Sequence, residues 1–227
     1  MSQIVRRMTA EAVGTFGVVF IAASAIVAEK FPAANYGLLG VGIAYALAYA
    51  IMVTATMNIS GGHLNPAVTF GVWVSRRISA RDAGLYLVAQ LGGAVLAGLL
   101  MKLIFPAGVA RVVLYGTPVI ANHITMGTAI TLEAVMTFLL VSTVFGTTVS
   151  PDAPKVGGFA IGLVVLFAMV VAGPFTGAAL NPARAFGPAV VSSAWVGQIA
   201  YWVGPLLGAL AAGLLWSTVL LPKRPEG

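Results

Sequence analysis

The chain has 227 residues, 59% of them hydrophobic and only 8% charged, with a mean hydropathy of +1.00 and a formal net charge of +6. Soluble domains carry roughly 25% charged residues, and here the basic residues sit in small groups between long apolar runs, so a soluble enzyme, a disordered tail and a nucleic-acid-binding module are excluded. With no cysteine, disulfides, thiolate metal sites and thiol nucleophiles are excluded as well.

In chain order, apolar runs cover about 8–28, 37–57, 83–105, 127–149, 156–174 and 197–221. Each is close to the roughly 20 residues that cross about 30 Å of hydrocarbon as a helix. Polar or Pro-bearing breaks separate them: Lys30-Phe31-Pro32, Ser75-Arg76-Arg77, Ser150 to Pro154, and Pro222. The runs are far too long for the ten-residue alternation of a membrane barrel. The first follows Arg6 and Arg7 as a signal peptide would, but Glu11 interrupts it, and it is read as a retained helix. Six spans put both termini on one side. Eight cations share that side (Arg6, Arg7, Arg76, Arg77, Arg81, Lys155, Lys223, Arg224) against three on the other (Lys30, Lys102, Arg111), which makes the shared side cytoplasmic. Arg184 belongs to neither group.

The chain repeats itself. Thr9 to Phe16 and Thr131 to Phe138 agree at six of eight positions with an offset of 122, and Ser60 to Gly71 and Thr176 to Gly187 agree at seven of twelve with an offset of 116. The expected fold is an all-α membrane protein with six transmembrane helices plus two re-entrant half-helices in an inverted repeat, one domain over 1–227 with halves at about 1–115 and 120–227. Three spans per half force the second half to enter the membrane upside down, an arrangement typical of proteins that move solutes.

Each repeat carries Asn-Pro-Ala: Asn65, Pro66 and Ala67, then Asn181, Pro182 and Ala183. Asn caps a helix and Pro fits its first turn, where a missing N–H costs nothing. The short runs from Asn65 to Arg76 and from Asn181 to Ser192 are half-spans, so non-helical backbone must reach membrane depth, which is tolerated only inside protein or along a watery cavity. Pseudosymmetry brings the two positive helix ends together. With each Asn oxygen capping its own helix, both NH2 groups are expected to donate into the cavity, orienting passing water so that proton hopping is interrupted.

These boxes, the run Ser60-Gly-Gly-His-Leu-Asn-Pro-Ala-Val-Thr69, the Asn-Pro-Ala-Arg of the second box and the paired Glu11 and Glu133 resemble the aquaporin (major intrinsic protein) family over essentially the whole chain. The resemblance implies a homotetramer with one pore per subunit. It implies that backbone carbonyls of Gly61, Gly62, His63 and Leu64, and of Gly177, Ala178, Ala179 and Leu180, line the pore, and that Glu11 and Glu133 hold the re-entrant loops. Residue chemistry agrees for the glutamates, since an intramembrane carboxylate needs donors and an unwound loop supplies them; a proton relay is the alternative. His63 is expected to be structural, and His123 is assigned no role.

The same resemblance places a selectivity filter at Tyr45, Met169, Ala178 and Arg184. Met169 stands where strict water channels have His, and Ala178 is small, a pattern similar to the tonoplast branch and to ammonia- or peroxide-permeable relatives. The Met169 assignment depends on an ungapped count back from Asn181 through Gly173-Pro174. Ala185, Ala189, Tyr201 and Trp202 resemble the water-channel set rather than the glycerol facilitators, which carry Asp at the position of Ala185. The expectation is a passive water channel that excludes protons and ions, with a broader pore for ammonia, hydrogen peroxide or glycerol as the alternative. A secondary transporter is the distant one, with only two membrane carboxylates to couple an ion. No enzyme arrangement, metal site or cofactor is expected, the partners being water, small neutral solutes and the lipid bilayer. Mercurials should find no thiol to block. Glycines at 158, 162, 204 and 208 are read as helix-packing positions, and the short tails suggest the cytoplasmic membrane.

Overall fold

The computed structural model describes residues 2–222; Lys223 and Arg224, counted above in the charge bias, lie outside the described residues. Within that range the chain forms α1 (Gln3–Ala28), α2 (Gly37–Ser60), α3 (Pro66–Val74), α4 (Ala80–Ile104), a single turn α5 (Ala107–Ala110) leading into a 3-10 stretch (Arg111–Gly116), α6 (Met126–Val144), α7 (Phe159–Thr176), α8 (Pro182–Ser192) and α9 (Gln198–Leu215). No strand occurs among the described residues. Short π turns, Phe145–Val149 and Trp216–Leu220, extend α6 and α9. The six long helices are each apolar and long enough to cross a membrane, and α3 and α8 are the two half-spans.

Helix boundaries follow local chemistry. Ser79 and Thr125 cap α4 and α6, their hydroxyls accepting the amides of Asp82 and Thr128. The Glu29 carboxylate accepts the amides of Tyr36 and Gly37 at the start of α2, supplying acceptors to donors that have no partner inside the helix. Both α2 and α7 stop at left-handed glycines, Gly61 (φ 94°) and Gly177 (φ 77°), the usual way to end a helix. Pro174 lies inside α7, and the helix runs on through it to Thr176.

Packing repeats with the sequence. α1 lies against α4 as α6 lies against α9; α2 and α7 pack on each other; α3 rests on α9 and α8 on α4. Close approach explains the glycines. A Cβ on Gly93 would collide with the Ala12 carbonyl, and one on Gly208 with the Ala134 carbonyl, the same contact in each half. Gly158, Gly162 and Gly204 meet opposing backbone in the same way, as the helical spacing suggested. The bundle turns residues such as Leu103, Val88 and Leu96 outward, leaving the buried polar groups to the middle, where two loops and two half-helices meet.

Candidate functional site

Asn-Pro begins each half-helix. The Oδ1 of Asn65 accepts the amide of Ala67 at 2.8 Å, and that of Asn181 accepts the amides of Ala183 at 3.0 Å and Arg184 at 3.3 Å. The half-helices meet N-terminus to N-terminus and are tied crosswise: Asn65 Nδ2 donates to the Leu180 carbonyl and Asn181 Nδ2 to the Leu64 carbonyl, both at 2.9 Å. Here the structure differs from the expectation that both NH2 groups stay free. Each amide gives one hydrogen to the opposite loop, because those loop carbonyls are themselves at membrane depth and need donors. Asn181 gives its second to the Tyr49 hydroxyl at 2.7 Å.

The loops before each cap are unwound at matching positions. Gly61, Gly62 and Leu64 have φ of 94°, 61° and 52°; Gly177, Ala178 and Leu180 have 77°, 44° and 54°. Left-handed backbone at non-glycine residues is costly, and the carboxylates hold it. Glu11 accepts the amides of His63 (3.0 Å) and Leu64 (2.7 Å), the Ser60 hydroxyl (2.6 Å) and Gln90 Nε2 (2.8 Å). Glu133 accepts the amides of Ala179 (3.0 Å) and Leu180 (2.7 Å) and the Thr176 hydroxyl (2.7 Å). Tyr86 and Tyr201 donate to the carbonyls of Ser60 and Thr176, both at 2.8 Å, closing the ends of α2 and α7. His63 is buried, with Nδ1 3.1 Å from the Thr69 hydroxyl and its ring edge-on to Tyr86.

Three of the eight loop carbonyls have protein partners: Leu64 and Leu180 from the crossing amides, and Ala179 from the Tyr45 hydroxyl at 2.9 Å. Those of Gly61, Gly62, His63, Gly177 and Ala178 accept no hydrogen bond from the described residues. Of these residues Gly62, His63 and Ala178 are buried and Gly61 and Gly177 half-buried; carbonyls so placed need partners, and donors from outside the protein can supply them.

Arg184, in the first turn of α8, is completely buried. Nη1 donates to the Gly116 carbonyl at 2.8 Å, and the guanidinium carbon lies 5.7 Å from the centre of the Tyr45 ring, within reach of a cation–π contact. Nε and Nη2 have no protein partner. Tyr45, Met169 and Ala178 belong to one buried cluster. Outside them a cavity of about 380 Å3, lined by Glu29, Lys30, Val41, Met169 and Gly177 among others, opens beside α2 and α7. Four residues essential to this geometry were not singled out from sequence. Tyr49 sits one turn from Tyr45 on the same helix face, a spacing that could have found it. Gln90 donates to both Glu11 and Thr69, and a lone Gln in an apolar span was its signal. Ser60 and Thr176 stood as repeat positions without an assigned role.

The sequence profile of the major intrinsic protein family matches residues 1–216. The chain belongs to that family. Among relatives, it is 50% identical over 194 residues to a probable aquaporin TIP3-2 of Oryza sativa subsp. japonica, covering 84% of this chain and 70% of that one. It is 40% identical over 229 residues to aquaporin TIP4-4 of Zea mays, covering 96% and 88%. The aquaglyceroporin from Plasmodium falciparum superposes with a TM-score of 0.79 over 95% of this chain and 96% of that one, at 21% identity, a likeness of fold alone. As a major intrinsic protein, the chain is a multi-pass membrane protein, and the inverted pairing of its loops is the centre of that fold.

Proposed function

We propose that this major intrinsic protein is a passive channel for water that excludes protons and ions, with its path running past the two loops and between the Asn-capped half-helices. The observation that carries the reading is the set of loop carbonyls without protein donors, leading on both sides to the amides of Asn65 and Asn181 and, on one side, to the unpaired Nε and Nη2 of Arg184. A line of acceptors interrupted by fixed donors guides a neutral hydrogen-bonding solute. Two facing helix N-termini oppose a cation at the midpoint, and the buried guanidinium of Arg184 opposes it on one side. Tyr45, Met169, Ala178 and Arg184 form the proposed filter, four subunits the proposed assembly, and the positive-inside bias puts both termini in the cytoplasm. The relatives named as aquaporins support the water reading.

A wider selectivity has one observation in its favour: Met169 brings no donor and Ala178 no bulk to the filter, while the cavity outside reaches Met169. Stopped-flow light scattering on proteoliposomes separates the two. Water flux above empty liposomes with glycerol at background supports the water channel. Fast ammonia, hydrogen peroxide or glycerol flux establishes the broader pore, and no flux of any of them refutes both.

A further inference from the structure

Tyr45 and Tyr49 lie one turn apart on the same face of α2, their ring centres 5.4 Å apart. Tyr45 turns its hydroxyl to the Ala179 carbonyl, and Tyr49 carries its own deeper, to Asn181 Nδ2 at 2.7 Å. An amide nitrogen has two hydrogens. Asn181 gives one to Leu64 and the other to Tyr49, whereas Asn65 gives one to Leu180 and has the same Tyr49 hydroxyl within interaction reach of its side chain. The two halves match in their caps, crossing bonds and glutamates, so Tyr49 is where the centre loses its symmetry. At the repeat offset of 116 its counterpart is Val165, which has no hydroxyl. The hydroxyl oxygen thus sits where a passing solute would place its acceptor. The surroundings are closed: Tyr45, Tyr49, Asn65, Met169, Ala178, Asn181 and Arg184 are each no more than 2% exposed.

We propose that Tyr49 is a specificity-determining residue of the pore, whose hydroxyl occupies the Asn181 donor and must be displaced by each solute that passes. The inference rests on the channel reading above. Displacement demands a solute that accepts the same N–H and fits beside the phenol ring. Water does both; a three-carbon polyol offers the acceptor but not the size. Tyr49 therefore slows flux and sharpens selection at the midpoint, independently of the filter around Arg184. A purely packing role for Tyr49 predicts no change in selectivity when its hydroxyl alone is removed.

The experiment compares the wild type with Tyr49→Phe and Tyr49→Leu in proteoliposomes at matched protein content, reading water and glycerol flux and the temperature dependence of water flux. Tyr49→Phe keeps the ring and frees Asn181, so water flux rises about fivefold, the population change that one lost buried hydrogen bond allows, with a shallower temperature dependence. Tyr49→Leu removes the bulk too and admits glycerol that the wild type excludes. Should the Leu variant fail to fold, as judged by circular dichroism and size exclusion, the Phe variant carries the test. A conducting wild type with unchanged or slower Phe variant overturns the inference and leaves the channel reading standing. No flux through the wild type or either folded variant overturns both. A silent wild type beside a conducting Leu variant supports the inference.

Discussion

A carboxylate at membrane depth is tolerated when every oxygen is supplied with donors, and Glu133 meets this condition with two backbone amides and one hydroxyl. Its replacement by glutamine keeps the shape and turns one acceptor into a donor. Either the Ala179 or the Leu180 amide then faces an NH2 group, leaving a buried donor unpaired at a cost of about 1–3 kcal/mol. Because those amides hold the left-handed backbone of the second loop, the loss is felt as unfolding of the site rather than as a local adjustment. Glu133→Gln is expected to lower the thermal unfolding midpoint in detergent by several degrees. Glu11→Gln should do the same, because its NH2 group must face either the His63 amide or the Leu64 amide together with Gln90 Nε2. An unchanged midpoint for both would separate the carboxylates from loop support and return them to the proton-relay reading.

Between helices the decisive quantity is the distance from Cα to the opposing backbone. Gly92 and Gly93 are adjacent on α4, yet a Cβ at Gly92 meets nothing within 4 Å while one at Gly93 runs into Ala12 of α1. Gly92→Ala should be neutral or stabilise by up to about 1 kcal/mol through helix propensity. Gly93→Ala must force α1 and α4 apart and costs about 1–3 kcal/mol. Thermal unfolding of the two variants side by side checks this, and equal midpoints would show that the helices do not approach as described. The spacing of packing glycines was readable in the sequence, as were all six spans and both half-helices, because hydropathy and Asn-Pro caps act over neighbouring residues. The partner of Arg184 was not. Gly116 reaches it from the 3-10 stretch after α5, where Leu114 and Tyr115 have φ of 48° and 52°, a path no local propensity signals. Tyr49 shares a helix face with Tyr45, but an aromatic residue on an apolar span reads as core, and the partner of its hydroxyl, Asn181, arrives from 132 residues away.

Across the whole molecule the repeat and the charge bias make one linked claim about orientation. If each half crosses three times, the α1–α2 connection and the stretch before α6 face one side, and the α6–α7 connection the other. Arg7 and Asp82, which start α1 and α4, are 3.7 Å apart, so these two helices begin on the same side, as three crossings with one re-entrant segment require. The absence of native cysteine makes the claim open to direct labelling. Asn35, Asn122 and Asp152 are exposed positions in the three connections. In spheroplasts carrying single cysteines, a membrane-impermeant maleimide is expected to label Asn35→Cys and Asn122→Cys directly, and Asp152→Cys only after permeabilisation. The reverse pattern would overturn the positive-inside assignment while keeping the inverted repeat. Labelling of Asn35→Cys and Asp152→Cys from the same side would break the repeat itself, because the two half-helix N-termini could then no longer face each other across the midplane.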